Sequence, residues 1–154
     1  MKSRTLLVSL AMFLAGFVLC LAADMNLGTW KLNESRSKMA PGAVKNDTVV
    51  YAAEGDNVKI TVHGVGGDGK PIQSEWAGKY DGKDYPVTGD PTSDARSYKK
   101  VDDRTLDFAV KKGGKTIVTG RVAVSADGKS RTVTTTATDS SGKKVTSTAS
   151  YDKQ

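Results

Sequence analysis

Along most of the chain, apolar and polar residues alternate with a period of two. Val58, Ile60 and Val62 alternate with polar residues, and Val122 and Val124 do the same farther along. This period is typical of half-buried strands, and no stretch after residue 23 keeps the 3.6-residue period of a helix. The pattern predicts ten strands, at residues 27–33, 47–53, 57–63, 71–79, 84–88, 94–101, 105–111, 115–125, 130–138 and 143–151.

Turn signals separate the predicted strands. The tripeptide Asp-Gly-Lys occurs at 68–70, 81–83 and 127–129. Asp-Gly favours two-residue hairpin turns in which both central residues have positive φ. The short spacing of these signals predicts that neighbouring strands are antiparallel and joined by hairpins.

Ten strands in one open sheet would leave two unprotected edges, so the sheet must close or split. We therefore predict an all-β fold, an antiparallel up-and-down β-barrel, with a two-sheet sandwich as the alternative. The segment 33–46 is the one long irregular connection. We expect a turn of α- or 3₁₀-helix there, then a loop across one end of the barrel, which Met39 can plug.

Composition supports this class. Valine and threonine far outnumber leucine in residues 24–154, which argues against a helical bundle, a coiled coil or a membrane-spanning protein. The single cysteine, Cys20, precedes this region. A disulfide scaffold is therefore excluded, and packing and backbone pairing must supply the stability.

The first 23 residues have the pattern of a secretory signal helix. Lys2 and Arg4 precede an apolar run over 6–21, and Ala22-Ala23 follows. Cleavage near Ala22 or Ala23 would leave 24–154 as the domain, with 21 basic and 17 acidic residues and a net charge of +4. We expect an exported protein, periplasmic or extracellular, without stable membrane insertion after cleavage. One alternative is an uncleaved membrane anchor. The other is lipidation of Cys20, but the large Leu19 precedes this cysteine where lipidation needs a small residue.

No motif predicts an enzyme, a metal site or a cofactor. The run 64–69 matches G-x-G-x-x-G, but a strand follows it where a dinucleotide site needs a helix, so we interpret it as a hairpin loop. His63 is the only histidine, and residues 24–154 contain no cysteine, so the ligands of a transition-metal site are lacking. A hydrolase or isomerase would need polar groups converging around Glu75 or Arg96. The lysines are spread over turns, which argues against nucleic acid as a partner.

Both ends of the domain carry recognisable sequences. Gly28-Thr29-Trp30-Lys31-Leu32 places a large ring near the barrel base, where it can seal the floor and accept a cation over its face. With the closing Tyr151-Asp152-Lys153, it resembles the calycin superfamily of lipocalins and fatty-acid-binding proteins, and more closely the small exported lipocalin-like proteins of bacteria. The resemblance implies a ten-stranded barrel. The segment 34–46 is too short for the helical lid of fatty-acid-binding proteins, and only Tyr151 matches their inward arginine pair and tyrosine.

A barrel of this size either fills with side chains or encloses a cavity. The small side chains at Gly78, Gly120 and Ala137 favour a cavity, and a flattened, filled barrel is the alternative. The inward set predicted from strand parity is Trp30, Val50, Val58, Ile60, Val62, Ile72, Trp76, Tyr98, Leu106, Phe108, Val118, Val122, Val124, Val133 and Tyr151.

From this set follows a hypothesis of non-covalent binding of a small apolar or amphipathic molecule. Arg96 shares parity with Tyr98 and can meet an anionic head group, whereas Arg121 has the outward parity. The alternative is a structural or interaction protein whose filled barrel only displays its loops. The candidate ligand-binding residues are Trp30, Trp76, Tyr80, Arg96, Tyr98, Phe108 and Tyr151.

Overall fold

The computed structural model describes residues 24–154. These residues form ten strands and no helix, and in this part of the chain no helix is long and apolar enough to cross a membrane. The predicted signal helix and its cleavage positions lie outside the described residues. The strands are β1 Gly28–Lys38, β2 Lys45–Glu54, β3 Asn57–Val65, β4 Pro71–Gly78, β5 Asp81–Thr88, β6 Ala95–Lys100, β7 Thr105–Lys112, β8 Lys115–Val124, β9 Ser130–Thr138 and β10 Lys144–Lys153.

The strands form one closed antiparallel barrel in which each pairs with its neighbours in sequence and β1 pairs with β10. The register at the closure joins Trp30 to Lys153 and Leu32 to Tyr151. The predicted up-and-down barrel is confirmed, and the sandwich is excluded because the sheet has no free edge. Closure gives each of the ten described strands backbone partners on both sides, so none of them is left as an exposed edge.

Because successive strands are antiparallel, alternate connections lie at opposite ends of the barrel. We call one end the mouth, formed by the loops 39–44, 66–70, 89–94, 113–114 and 139–143. The other end is the floor, formed by 24–27, 55–56, 79–80, 101–104 and 125–129. The two ends differ in packing and in charge.

The expected helical turn after β1 is wrong. The strand continues to Lys38, with an irregularity between Asn33, which pairs with Ser150, and Lys38, which pairs with Thr148. Side-chain hydroxyls replace the missing ladder bonds, since the Ser150 amide donates to Ser37 Oγ at 2.9 Å. The chain turns only at residues 40–43. A bulge with serine partners satisfies the backbone here without a helix.

The turn geometry also differs from the expectation. Positive φ occurs only at glycines among the described residues, so the aspartates of the Asp-Gly turns do not adopt it. Asp68, Asp81 and Asp127 instead accept a hydrogen bond from the backbone N–H two residues later. These are Asx turns followed by a glycine in the left-handed region, a hairpin type that needs only one residue with positive φ.

In β2, the alternation of residues along the strand predicted the wrong inward face. Val49 and Tyr51 of β2 are buried, and Val50 is only half-buried, so placing Val50 in the core is wrong. Tyr51 pairs with Ile60, which is also buried, whereas Val50 pairs with Thr61. The run Val49-Val50-Tyr51 is apolar on both parities, and its cross-strand partners decide which face is inward.

Candidate functional site

Just inside the floor, the side chains of Trp30, Trp76 and Tyr80 form an aromatic layer that packs this end of the barrel. Trp30 is completely buried, and its indole N–H donates to the Asn26 carbonyl at 2.8 Å. The Lys153 ammonium lies 5.1 Å from the Trp30 ring centre, so the ring has the cation partner that the sequence suggested. Met25 and Leu27 pack against the same core. This end is closed by the chain segment that precedes β1.

Trp76 joins the floor to the wall. Its indole N–H donates to the Arg96 carbonyl at 2.8 Å, which links β4 to β6 past β5. The direct pairing of β4 with β5 is confined to two positions, Glu75 with Thr88 and Trp76 with Val87. The ring also packs edge-on against Tyr98, with ring centres 4.8 Å apart. The indole therefore supports the barrel where its ladder is weakest.

Above this layer lies a cavity of about 420 Å³ that reaches the mouth. Such a volume falls within the range of small-molecule sites, roughly 300–1,000 Å³. The interior is therefore not filled. The apolar part of its lining consists mainly of Val49, Val62, Ile72, Phe108, Val110, Val118, Val122, Val133, Ala137 and Ala149. Met39 also lines it from the loop after β1, at the end where the sequence placed it.

The structure places the seven candidate residues at two levels. Arg96, Tyr98, Phe108 and Tyr151 line the cavity. Trp30, Trp76 and Tyr80 do not, because they belong to the layer beneath it. Tyr80 packs beside Tyr98, with ring centres 6.2 Å apart.

Arg131 is buried in the barrel, although it is not among the predicted inward residues. Its parity on β9 is the inward one, and this is the signal that could have found it. It lines the cavity and is only 3% exposed. Its guanidinium carbon lies 4.8 Å from the Trp30 ring centre, 4.7 Å from that of Tyr51 and 5.0 Å from that of Tyr151. Desolvated cations over aromatic faces are stabilised by the ring quadrupoles. Arg96 lies inward, as its parity with Tyr98 predicted, and Arg131 is a second inward arginine, so both line the cavity together with Tyr151.

Both interior arginines keep unused hydrogen-bond donors. Within residues 24–154, Nε of Arg96 and both Nε and Nη1 of Arg131 are buried without a partner. Arg96 has one acidic neighbour, since its Nη2 lies 4.0 Å from Asp90 Oδ2. No ion pair in the described part of the chain includes Arg131. Buried polar groups are normally satisfied, so these donors are suited to an acceptor that enters the cavity.

The aromatic groups that contact Arg131 do not compensate its positive charge. Burial raises the pKa of Tyr151 to about 12, although Arg131 opposes the shift. Burial also raises the pKa of Tyr51, so both phenols are neutral at physiological pH. Burial opposes ionisation of Asp90 too, but hydrogen bonds from Ser93 and Thr92 hold its pKa below the ordinary value. Two guanidiniums thus line the cavity together with two carboxylates, Asp90 and Asp139, which accept hydrogen bonds from residues of their own loops. Of the two guanidiniums, only that of Arg131 has no acidic partner among the described residues.

Arg121 lies outside the barrel, as its parity predicted. Its guanidinium forms an ion pair with Asp107, at 2.6 Å from Nε to Oδ1, and its side chain is exposed. His63 is exposed on β3 as well. Neither residue reaches the cavity.

No protein-family model matches the sequence, and no curated protein matches it. Among solved structures, the chain is similar to one described as EF1p2_mFAP2b bound to DFHBI. The two share 12% sequence identity, and the match covers 86% of this chain and 97% of that chain with a TM-score of 0.47.

Proposed function

We propose that this protein is exported, belongs with the lipocalin-like calycins, and holds a small amphipathic molecule with an anionic group without catalysing a reaction. The observation that carries the proposal is the cavity of about 420 Å³, whose mainly apolar wall includes two arginines with unpartnered N–H donors. Apolar surface supplies affinity by desolvation, and a few placed polar groups fix orientation. The leader-like residues 1–23 and the Gly28–Leu32 opening support export and the family assignment.

The proposed charge of the ligand follows from Arg131, which has no acidic partner in the described chain, and from the unpartnered N–H donors of both arginines. A carboxylate or another oxyanion accepts several N–H bonds and compensates the desolvated positive charge. A neutral hydroxyl group of the same size would compensate only the hydrogen bonds. At an effective dielectric constant of about 20, a carboxylate ~4 Å from a guanidinium gains about 4 kcal/mol of attraction that a hydroxyl does not. The greater cost of desolvating the carboxylate offsets part of this gain, so an anionic ligand should bind roughly 10–100-fold more tightly than its neutral counterpart.

A direct test compares dodecanoate with dodecanol as competitors of 1-anilinonaphthalene-8-sulfonate fluorescence. Dodecanoate should displace the dye at much lower concentration. Arg131→Met and Arg96→Met should each reduce that preference, whereas Arg121→Met, on the outer wall, should leave it unchanged. Native mass spectrometry of the purified protein should also show a bound small molecule. Equal affinity for acid and alcohol, or no binding of either, would favour the alternative of a barrel that only displays its loops.

A further inference from the structure

The two ends of the barrel carry opposite charge. Counting each loop with one flanking strand residue on either side, the mouth has seven basic residues and four acidic ones. The floor, counted in the same way with the chain ends, has five basic and seven acidic residues. The basic residues of the mouth are Lys38, Lys45, Lys70, Lys112, Lys115, Lys143 and Lys144.

Several of these lysines are free to meet a partner. Lys115, Lys143 and Lys144 are exposed and make no ion pair with another residue of the described chain. Lys45 and Lys70 each pair with an exposed carboxylate, at 3.1 Å and 3.7 Å, and exposed pairs of this kind are weak. The mouth therefore presents a positive field that neighbouring carboxylates only partly cancel.

Apolar surface is exposed among these charges. Val44 and Ile117 are each 38% exposed, and both line the entrance of the cavity. Val44 ends the loop 39–44, Met-Ala-Pro-Gly-Ala-Val, which has no charged or polar side chain and is flanked by Lys38 and Lys45. The Ala40 backbone N–H donates a hydrogen bond to Ser147 Oγ at 2.9 Å, and this bond holds the apolar loop at the mouth.

We infer that the mouth docks onto an anionic lipid bilayer, with the loop 39–44 and Ile117 entering the headgroup region and the surrounding lysines contacting lipid phosphates. Polybasic surfaces are attracted to anionic lipid, and exposed apolar groups beside them add affinity by entering the interface. A nucleic acid would use the lysines but not an uncharged apolar loop between them. Continuity of this surface with the cavity places the entrance against the bilayer.

The test measures co-sedimentation of the purified protein with vesicles of phosphatidylcholine, with and without phosphatidylglycerol. Binding should require phosphatidylglycerol and weaken with added salt, because the attraction is screened. The triple variant Lys115→Glu, Lys143→Glu, Lys144→Glu should bind at least roughly 100-fold more weakly, because each lysine near an anionic surface contributes about 1 kcal/mol. The matched control Lys79→Glu, Lys100→Glu, Lys129→Glu makes the same net charge change at the floor and should bind nearly as well as the wild type.

A second pair of variants separates apolar contact from charge. Val44→Asn with Ile117→Asn should weaken vesicle binding, whereas Val101→Asn should not, since Val101 is 50% exposed but lies at the floor. Equal losses of vesicle binding in the mouth and floor lysine variants would overturn the proposal. Unchanged vesicle binding by Val44→Asn with Ile117→Asn would overturn it too, and would indicate that the mouth binds polyanions through its lysines alone. Circular dichroism checks that each variant folds. Dye binding in vesicle-free solution tests the cavity separately, so failure of one proposal is distinguishable from failure of the other.

Discussion

At the scale of single residues, the burial of Arg131 has an energetic cost that the proposed ligand would offset. Moving an ion into a protein interior costs several kcal/mol even after relaxation. The rings of Trp30, Tyr51 and Tyr151 return part of this, at roughly 0.5–2 kcal/mol for each cation–π contact. Without an acidic partner in the described chain the balance is unfavourable in the empty barrel. An anionic ligand would reverse it.

Arg131→Met therefore should stabilise the ligand-free protein while removing its preference for anions. Methionine keeps most of the volume between the three rings and needs no hydrogen-bond partner, so we expect the free energy of unfolding to rise by about 1–3 kcal/mol. Urea denaturation measures it. Arg121→Met is the control and should change stability by less than about 1 kcal/mol, because its ion pair is exposed. A clear loss of stability in Arg131→Met would mean that the aromatic contacts outweigh desolvation.

At the scale of strands, periodicity predicted the elements well and the inward faces less well. All ten predicted strands exist, and most bounds agree within two residues. The errors fall in segments where polar and apolar side chains do not alternate. In β2 both parities are apolar, so alternation could not assign a face. At the end of β1 the chain is polar throughout, and the hydrogen bonds of Ser37 and Ser150, invisible in the sequence, decide its path.

The candidate site shows the same limit. Arg131 has the parity of Val133, Thr135 and Ala137 on β9, so strict alternation would have placed it inside. Its charge and its position next to the turn at 125–129 suggest an exposed residue. The three rings that offset part of the cost of its burial come from β1, β2 and β10, and no local sequence pattern brings those strands together.

Two adjacent valines test which face of β2 is inward. Val49→Ala removes two methyl groups from a residue that is 5% exposed and should lower the free energy of unfolding by about 2 kcal/mol. Val50→Ala makes the same chemical change on the outer face and should cost less than about 1 kcal/mol. Urea denaturation of both variants gives the comparison. The reverse order would mean that the register of β2 with β3 is displaced by one residue, since such a slip exchanges the faces.

At the scale of the whole molecule, closure of the barrel makes the cavity and separates its two ends. The seam between β1 and β10 joins the first strand to the last. Trp30 pairs with Lys153 there, so the seam also fixes the aromatic floor beneath Arg131. The mouth, by contrast, is built only of loops between neighbouring strands. Floor packing and seam pairing are therefore coupled, whereas the rim can vary without opening the barrel.

Deleting Asp152, Lys153 and Gln154 tests this coupling. The deletion removes the partners of Trp30 and Lys31, two backbone bonds donated by residues 153 and 154, and the ammonium over the Trp30 ring. We expect a loss of about 2–4 kcal/mol in the free energy of unfolding and concentration-dependent association through the exposed strand edges. Urea denaturation and size-exclusion chromatography measure these effects. Gln154→Ala keeps the backbone and is the control. A truncated chain that stayed monomeric and equally stable would show that the seam does not hold the barrel closed.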